Sequence, residues 1–259
     1  MRTSRLFTRT SRIIQQRCWS STKPASFVGR RYFRSDVSSG SALDQGLADL
    51  TANPEDCRSV YDNWASNYDK DVEEWGYDMP TKVASLLAQY LSNDKEKELE
   101  ILDAGAGDGL SGMALRESPS FSNCHLTGAD LSTQMLEGAK KRGCYDELLT
   151  LDLNQPPFPF QSQSFDAITC VGTMTYVNPN AGTLKEFCRI VKPNGLIFYT
   201  NRTDKLEPFR PVEQALVDQG WWKLTHDTGP LPYLPNHPEF KDDIQVVIFV
   251  YQRTDKPMV

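Results

Sequence analysis

The residues of this chain most able to do chemistry are a glycine-rich stretch and the acidic residues around it. The sequence EILDAGAGDGLSG occupies residues 100–112, and its glycines would let the backbone approach a ligand without obstruction by a Cβ atom. Asp103 precedes the first of these glycines, and Asp130 and Asp152 follow at the ends of the next two apolar stretches. A carboxylate at the end of the second strand of such a unit can accept hydrogen bonds from both hydroxyls of a ribose. The spacing therefore predicts a nucleoside-binding site.

Three kinds of ligand compete for this stretch: a nucleoside triphosphate, a dinucleotide or another nucleoside-like molecule. A phosphate-binding loop of the Walker type needs Lys and then Ser or Thr after its last glycine, whereas Gly109 is followed by Leu110 and Ser111. The dinucleotide fingerprint G-x-G-x-x-G begins at Gly105 and Gly107 but fails at Leu110. A glycine-rich turn alone could also be only a tight strand-to-helix connection. The accompanying carboxylates favour the third kind of ligand.

The elements that must position these residues alternate along the chain. Strands are predicted at 98–105, 124–130, 146–153, 164–172, 192–201, 220–228 and 242–253, and helices at 79–91, 109–117, 132–143 and 181–191. Alternation of strands and helices predicts an α/β fold, with a doubly wound, mostly parallel, seven-stranded sheet. The last two strands have no helix between them and should pair antiparallel. The Pro-Asn-Gly turn before the fifth strand should have its positive φ at Gly195.

An amphipathic lead-in should cover the ligand-facing edge of the sheet. Val60, Trp64 and Tyr68 stand at successive turns of one predicted helix. The later segments 202–220 and 229–240 interrupt the sheet pattern on the same side. Trp64 is expected to be a core aromatic, whereas Tyr68 suits the core and the ligand site equally well.

The composition excludes several classes of protein. With 259 residues, of which 39% are apolar, the chain can bury a full core. Its longest apolar run, 244–251, is much shorter than the roughly 18 residues of a membrane-spanning helix. The six cysteines are scattered and have no metal-ligand spacing, so we expect reduced thiols rather than a disulfide framework or a zinc site.

Charge divides the chain into two parts. Nine of its 28 basic residues and none of its 34 acidic residues lie in 1–34, which leaves a formal charge of −15 on the rest. The first part is rich in Arg, Ser and Thr and predicts an organellar transit peptide, mitochondrial because RCWSS at 17–21 resembles a processing site. A plastid address, a cytoplasmic location and a basic arm that contacts nucleic acid or lipid are the alternatives. Residues 35–55 are predicted to be a linker and 56–259 the folded domain with its capping helices.

These segments together resemble the class I S-adenosylmethionine-dependent methyltransferases. The resemblance spans about residues 57–253 and rests on ILDAGAGDG, on Asp130, on LDL at 151–153, on FDAITCVGTMTYV and on LKEFCRIVKPNGLIFYT. The segments VYDNWASNYDKDV and YDMPTKVASLL most resemble the methyltransferase-like group named for the Williams–Beuren critical region. The resemblance implies a Rossmann-like methyltransferase sheet and S-adenosyl-L-methionine as the cofactor.

The resemblance also implies a role for each candidate cofactor-binding residue. Asp103 would lie near the ammonium group of the cofactor and Asp130 would hold the ribose. The residues implied for the other parts are Gly105, Ala106 and Gly107 beneath the methionine part, Leu131 and Met135 beside the adenine, Asp152 and Leu153 at its edge, Cys170 and Val171 in the floor, and Tyr68 in the lead-in. Asp152 could also be a solvated loop residue, and Met135 could be ordinary core.

The expected reaction is in-line methyl transfer to a small-molecule acceptor. No metal is expected, and no catalytic base is assigned, because His226 and His237 suit surface or structural roles. The fourth strand lacks an Asn-Pro-Pro-Tyr turn, no Pro-Cys nucleophile is present, and an acidic domain repels polyanions. Nucleic acid is therefore not expected as a partner, and the acceptor should be neutral or cationic. A protein acceptor and a catalytically silent cofactor-binding subunit are the alternatives, and the oligomeric state is open.

Overall fold

A central β-sheet organises the residues that this computed structural model describes, which are 54–91, 98–238 and 244–258. Its strands are β1 (Leu99–Ala104), β2 (Cys124–Asp130), β3 (Glu147–Thr150), β4 (Phe165–Cys170), β5 (Val191–Arg202), β6 (Trp222–Asp227), β7 (Leu231–Pro232) and β8 (Gln245–Arg253). They are ordered β3-β2-β1-β4-β5-β8-β6, and the short β7 pairs with β8. Strands β1 to β5 pair in parallel, and β8 pairs antiparallel with β5, β6 and β7.

Seven α-helices lie in the described residues. They are α1 (Pro54–Trp64), α2 (Tyr68–Glu74), α3 (Met79–Leu91), α4 (Leu110–Glu117), α5 (Thr133–Arg142), α6 (Thr183–Ile190) and α7 (Arg210–Asp218). Ser132 caps α5 by accepting a hydrogen bond from the N–H of Met135, and Gly143 ends the helix with a positive φ. The predicted α/β class, the mostly parallel sheet and its antiparallel end strands are confirmed.

The core consists of two apolar clusters, one on each face of the sheet. Leu102, Ile168 and Ile197 belong to one cluster, whereas Ile101 and Ala167 belong to the other. Successive side chains of a strand point to opposite faces, so adjacent residues of one strand belong to different clusters. Every residue of β4 is buried, as its continuous apolar sequence predicts for a strand covered on both faces.

The structure differs from the sequence-based expectations at several element ends. The predicted lead-in helix is two helices, because the chain turns at residues 65–67, so Tyr68 begins α2 instead of continuing α1. Strand β3 covers only Glu147–Thr150 of the predicted 146–153. In the turn before the main part of β5, Asn194 has the positive φ of 65°. Gly195 is needed there for space, since a Cβ atom would lie 2.7 Å from the carbonyl oxygen of Asp166.

The described residues bear on two other expectations. Cys57, Cys124, Cys144, Cys170 and Cys188 are buried and lie outside disulfides. Helix α1 starts at Pro54, inside the end of the predicted linker. The rest of that linker and the predicted transit peptide lie outside the described residues. No helix in the described part of the chain is both long enough and apolar enough to cross a membrane.

Candidate cofactor-binding site

A cavity lies where β1, β2 and β4 end at their carboxyl sides, and we call it the cofactor cavity. It contains about 950 Å³ of empty space, the open solvent at its mouth included. Four stretches of the lining follow strands, at 105–111, 130–135, 151–154 and 171–177, and the lining includes five tyrosines. Ligands of open α/β sheets bind at this edge because the loops of several strands converge there.

The glycine loop that follows β1 has a backbone conformation that side chains would prevent. Gly105, Gly107 and Gly109 have φ values of 83°, 56° and 103°, a region that residues with a Cβ atom rarely adopt. A Cβ atom on Gly105 would lie 2.1 Å from Oγ1 of Thr173. Glycine is therefore required at position 105 by both conformation and space, and the backbone of 105–107 faces the cavity.

Asp130 ends β2 and anchors the glycine loop to the next helix. Its Oδ2 accepts a hydrogen bond from the N–H of Gly107 and its Oδ1 accepts one from the N–H of Ser132, both at 2.9 Å. Burial raises the pKa of this carboxyl, and hydrogen bonds from the N–H groups of Ser132, Gly107 and Leu131 oppose the shift. A carboxylate has about four lone-pair sites, so Asp130 can accept a further hydrogen bond. Asp130 lines the cavity and can therefore receive a hydroxyl group of a ligand.

Apolar side chains beside Asp130 form the walls of a slot. Leu131 and Met135 line the cavity together with Leu151 and Leu153. Met135 is 2% exposed, and its Cε methyl lies 3.5 Å from the position that a Cβ atom on Gly107 would take. A flat apolar group such as a purine ring fits such walls, because these side chains contribute area without polar atoms.

Polar groups border the same slot after β3. Asp152 lines the cavity, and its Oδ1 accepts a hydrogen bond from the N–H of Asn154 at 2.8 Å. The carbonyl of Leu153 is occupied by a hydrogen bond from Oγ1 of Thr183 at 2.6 Å. The other oxygen of Asp152 can serve a donor at the edge of a bound ring, so its position suits the predicted adenine contact.

Asp103 is not where the sequence pattern predicts it. It is completely buried and is not part of the described cavity lining. Its Oδ2 accepts a hydrogen bond from Oη of Tyr145 at 2.6 Å, and its Oδ1 accepts one from Oγ1 of Thr169 at 2.9 Å. The strand alternation turns Asp103 towards a face of the sheet, away from the crevice at its end. Burial raises the pKa of Asp103 to about 6, against the opposing effect of these two donors.

Cys170 is also displaced from its predicted role. It is completely buried and packs in the apolar cluster that contains Ala104. Val171, Gly172 and Thr173 form this part of the cavity lining instead. The predicted fourth strand ends two residues beyond β4, and the side chain of Cys170 packs in the core. Ala106 and Val171 do line the cavity.

Asp108 connects the glycine loop to two helices through Arg142. Nε of Arg142 donates to the carbonyl of Asp108 and its Nη2 donates to the carboxylate of Asp108, both at 2.7 Å. The same Nη2 also donates to Asp69 of α2. Burial and the nearby Asp69 raise the pKa of Asp108, whereas Arg142 lowers it, and the net shift is upward. We call these three residues the Arg142 clasp.

Five tyrosines also line the cavity, and we call them the tyrosine wall. They are Tyr61, Tyr68, Tyr77, Tyr176 and Tyr233. Burial raises the pKa of each hydroxyl, so all five are neutral at physiological pH. The structure thus brings the predicted Tyr68 to the cavity, in the company of four tyrosines that the sequence analysis did not assign to it.

Other contributors were missed because no local motif marks them. Arg142, Tyr145 and Tyr233 are far in sequence from the residues that they contact, and only the folded chain brings them together. The two histidines considered as bases lie elsewhere: His226 is on the exposed strand β6, and His237 packs against Trp75 with ring centroids 4.5 Å apart. Neither belongs to the described lining of the cavity.

The residues present fit a nucleoside cofactor. Asp130 offers two acceptors, the leucines and Met135 offer an apolar slot, and the glycine loop offers exposed backbone. In the described residues, no three His, Cys, Asp or Glu side chains are grouped so that they could hold a metal ion. Fold and cavity together define a Rossmann-like protein with a site for a nucleoside-type ligand.

Comparison with known proteins identifies the family. A methyltransferase domain family matches residues 102–199. Methyltransferase-like protein 27 of Homo sapiens is 33% identical over 168 residues, which are 63% of this chain and 66% of that protein. A demethylmenaquinone methyltransferase of Clavibacter sepedonicus is 32% identical over 154 residues, 58% of this chain and 59% of that protein. These matches show a methyltransferase domain over residues 102–199 and support the class I S-adenosylmethionine-dependent methyltransferases, the family that the motifs resemble.

A solved structure shows the same fold. A protein of Methanococcus maripaludis assigned to the S-adenosyl-L-methionine-dependent methyltransferases superposes with a TM-score of 0.56 at 15% identity, over 76% of this chain and 95% of that one. At this identity the likeness concerns the fold alone. The chain spans slightly less than two thirds of the length of the two relatives described above.

Proposed function

We propose that this protein transfers a methyl group from S-adenosyl-L-methionine to a small-molecule acceptor. The observation that carries the proposal is the cofactor cavity, whose lining combines the glycine loop and Asp130 with five tyrosines. One side suits a nucleoside, and the other can hold an organic molecule next to it. When bound, the cofactor supplies an electrophilic methyl group on a sulfonium, which needs no further activation.

The residues of the chain contribute mainly by binding and positioning. Asp130 holds the ribose hydroxyls, Leu131 and Met135 enclose the adenine, and Asp152 accepts from its amino group. The backbone of Gly105 to Gly107 lies beneath the amino-acid part. Holding two reactants in line at near-attack distance can supply a large share of the acceleration of such a reaction.

The cavity offers little general-base chemistry. Its carboxylates Asp108, Asp130 and Asp152 lie on the cofactor side, and the tyrosine hydroxyls are kept neutral by burial. The tyrosines therefore serve as hydrogen-bond partners that orient the acceptor, while their rings exclude water. We infer that the acceptor atom reacts as it is bound, or passes its proton to water at the mouth of the cavity.

A small molecule is favoured over a macromolecule by the enclosure of the tyrosine wall. Tyr61 and Tyr68 come from the lead-in helices and Tyr233 comes from the segment before β8, so the wall covers the sheet edge from two directions. A relative is named a demethylmenaquinone methyltransferase, which supports an organic small molecule as the acceptor class. The negative charge of the domain disfavours a nucleic acid.

Labelling with methyl-labelled cofactor tests this proposal. The full-length protein is incubated with the labelled cofactor and, in separate reactions, with a small-metabolite extract, purified RNA, purified DNA and bulk protein. We expect label in a compound below about 1 kDa, consistent with the usual size of pocket ligands, and in none of the polymers. A Gly105→Ala variant is the negative control, because its Cβ atom cannot fit beside Thr173.

Three other results are possible, and each would contradict the proposal in a different way. Label found mainly in protein would make the chain a protein methyltransferase. Cofactor binding in calorimetry without any transfer would favour a cofactor-binding regulatory subunit. Absence of cofactor binding would contradict the assignment of the cavity itself.

A further inference from the structure

A second cavity adjoins the cofactor cavity and is lined mostly by aromatic rings. We call it the aromatic cavity. It contains about 440 Å³ of empty space, the open solvent at its mouth included. Its described lining consists of Tyr61, Trp64, Tyr68, Val72, Trp75, Tyr77, Tyr176, Arg202, Tyr233, Leu234 and Ile244. Seven of these residues are aromatic. Several rings pack edge-on or tilted against one another, as Trp64 does against Tyr68 at 4.7 Å and against Trp75 at 5.6 Å between centroids.

The two cavities share one wall. Tyr61, Tyr68, Tyr77, Tyr176 and Tyr233 line both of them. At the end of β4, Oη of Tyr77 and Oη of Tyr233 lie 2.8 Å and 3.7 Å from the position that a Cβ atom on Gly172 would take. A molecule in the aromatic cavity therefore lies next to the cofactor cavity and contacts the same tyrosine side chains.

Arg202 gives the aromatic cavity its charge. It is the charged residue in the described lining, and its side chain is 9% exposed. Nε donates to Oδ1 of Asp204 at 3.0 Å and Nη2 donates to Oδ2 at 2.8 Å. Two of the five N–H groups of the guanidinium are thus used. The guanidinium is also hydrogen-bonded to Tyr176, and its remaining N–H groups can donate to a ligand.

We propose that the aromatic cavity is the acceptor site and that it selects a planar aromatic molecule carrying a carboxylate or another anionic oxygen, which pairs with Arg202. This inference rests on the proposed methyl transfer. The ring of such a molecule packs among the aromatic side chains in edge-on and offset contacts. Its anionic group accepts from the free guanidinium donors, and the tyrosine hydroxyls hydrogen-bond to its other oxygens.

Two other ligand classes suit this lining less well. An aromatic cage can bind a cation, but here the cation would lie close to the guanidinium, and no carboxylate belongs to the described lining. A purely apolar molecule would make no use of the remaining guanidinium donors. The positive charge of Arg202 thus favours an anionic acceptor, whereas the acidic composition of the whole domain predicts a neutral or cationic one.

Three probes that differ in one property each can test the assignment. They are 4-hydroxybenzoate, its uncharged analogue 4-hydroxybenzyl alcohol, and 4-hydroxycyclohexanecarboxylate, which keeps the charge but lacks the aromatic ring. Binding to the full-length protein in the presence of the demethylated cofactor is measured by ligand-observed NMR titration. Because one charge-assisted hydrogen bond separates the first two probes, 4-hydroxybenzoate should bind at least tenfold more tightly than the alcohol. It should also bind severalfold more tightly than the cyclohexane acid.

Variants locate the site of this selectivity. Arg202→Gln should lower the affinity for 4-hydroxybenzoate at least tenfold and leave that for the alcohol within about twofold. Lys205→Gln is the matched control, since it removes the same charge three residues away and lies outside both described linings. Asp204→Asn keeps Arg202 and frees more of its donors, so 4-hydroxybenzoate should bind as well as before or better. This variant keeps the test decisive if Arg202→Gln does not fold.

The outcomes separate this inference from the proposed function. Equal binding of 4-hydroxybenzoate and the alcohol, or an equal loss in Arg202→Gln and Lys205→Gln, would overturn the acceptor assignment. Affinity for the cofactor is measured by calorimetry on the same samples. Cofactor binding without selective binding of the aromatic acid would support the methyltransferase proposal and contradict the acceptor assignment. Selective binding of the aromatic acid without cofactor binding would support an anion-selective cavity and contradict the proposed methyl transfer.

Discussion

At the scale of single residues, the candidate site depends most on Asp130. Its carboxylate accepts N–H groups from the glycine loop and from the start of α5, and it lines the cofactor cavity. Asp130→Asn keeps the size of the side chain but removes its charge and one acceptor oxygen. We expect the affinity for S-adenosyl-L-methionine to fall by about tenfold to a hundredfold, as one or two charge-assisted hydrogen bonds weaken. Isothermal calorimetry measures this change.

The control for this prediction is Asp218→Asn, which makes the same chemical change at an exposed position of α7. Its affinity should equal that of the unaltered protein. If Asp130→Asn bound the cofactor with unchanged affinity while remaining folded, the ribose would have to bind elsewhere.

Asp103 should make the stability of the protein depend on pH. Its folded-state pKa is raised from 3.8 to about 6, so the folded chain holds the proton more tightly than the unfolded chain. Its contribution to stability is therefore fully present below about pH 4 and is lost as the pH rises through about 6. We compare the free energy of unfolding of Asp103→Asn with that of the unaltered protein. The difference should shift in favour of the variant by about 2 to 3 kcal/mol as the pH rises from 4 to 7.5.

Urea unfolding at several pH values checks this prediction. Asn cannot accept both hydrogen bonds of Asp103 with the same geometry, so the change with pH is informative and the difference at a single pH is not. Glu137→Gln, at an exposed position of α5, is the comparison. A pH-independent difference for Asp103→Asn would show that the carboxyl titrates alike in the folded and unfolded chains.

At the scale of elements, the Arg142 clasp holds α2 against the glycine loop. Arg142 reaches Asp108 through two hydrogen bonds and Asp69 through a third contact. Arg142→Gln should loosen α2 and weaken cofactor binding about threefold to tenfold, because the partly buried Asp108 loses its counter-ion. Hydrogen exchange of residues 68–74 should become faster in the same variant.

Lys140→Gln is the matched control for the clasp, since it removes a charge from the exposed side of the same last turn of α5. It should change neither the cofactor affinity nor the exchange of α2. Equal exchange of α2 in Arg142→Gln and in the unaltered protein would mean that the aromatic contacts of α2 alone hold the helix in place.

The elements of the sheet could be predicted from the sequence because each one is encoded locally. The apolar run of β4, the Ser132 cap and the Gly143 stop are visible within a few residues, and the structure has all three. The break between α1 and α2 was missed because the spacing of aromatic residues continues across it. Nε1 of Trp64 donates to Asp71 at 2.7 Å, a contact across the break that helical periodicity does not reveal.

The position of the site along the chain could be predicted. The roles that depend on the direction of a side chain could be predicted less well. The glycine loop and Asp130 follow strand ends, so their approximate position could be inferred from the element order alone. Asp103 and Cys170 lie in strands, where a side chain at a given register points to one face or the other, and both point into the interior. The tyrosine wall and Arg202 combine residues from separate segments, which only the tertiary structure brings together.

At the scale of the whole molecule, charge has different consequences at different distances. The formal charge of −15 outside the first 34 residues disfavours the approach of long polyanions. Within the aromatic cavity, however, Arg202 is the nearest charge, and a bound group is affected most by its direct neighbours because the interior has a low dielectric. A domain whose net charge disfavours nucleic acid can therefore still bind a small anion.

The basic segment at 1–34 leads to the last prediction, which concerns location. We propose that this segment is a mitochondrial address, since Arg5, Arg9, Arg12 and Arg17 combine with apolar residues and no acidic ones. Residues 1–40 fused to a fluorescent protein should enter mitochondria, and replacement of these four arginines by Gln should leave the fusion in the cytosol.

A charge-matched fusion decides whether position or total charge matters. Replacing Lys23, Arg30, Arg31 and Arg34 by Gln removes the same amount of charge from the second half of the segment. That fusion should still enter mitochondria, because import signals of this kind depend on the combination of basic and apolar residues in one stretch and not on net charge alone. Diffuse fluorescence from the unaltered fusion would make the segment a basic arm, and accumulation in plastids of plant cells would assign it the other organelle.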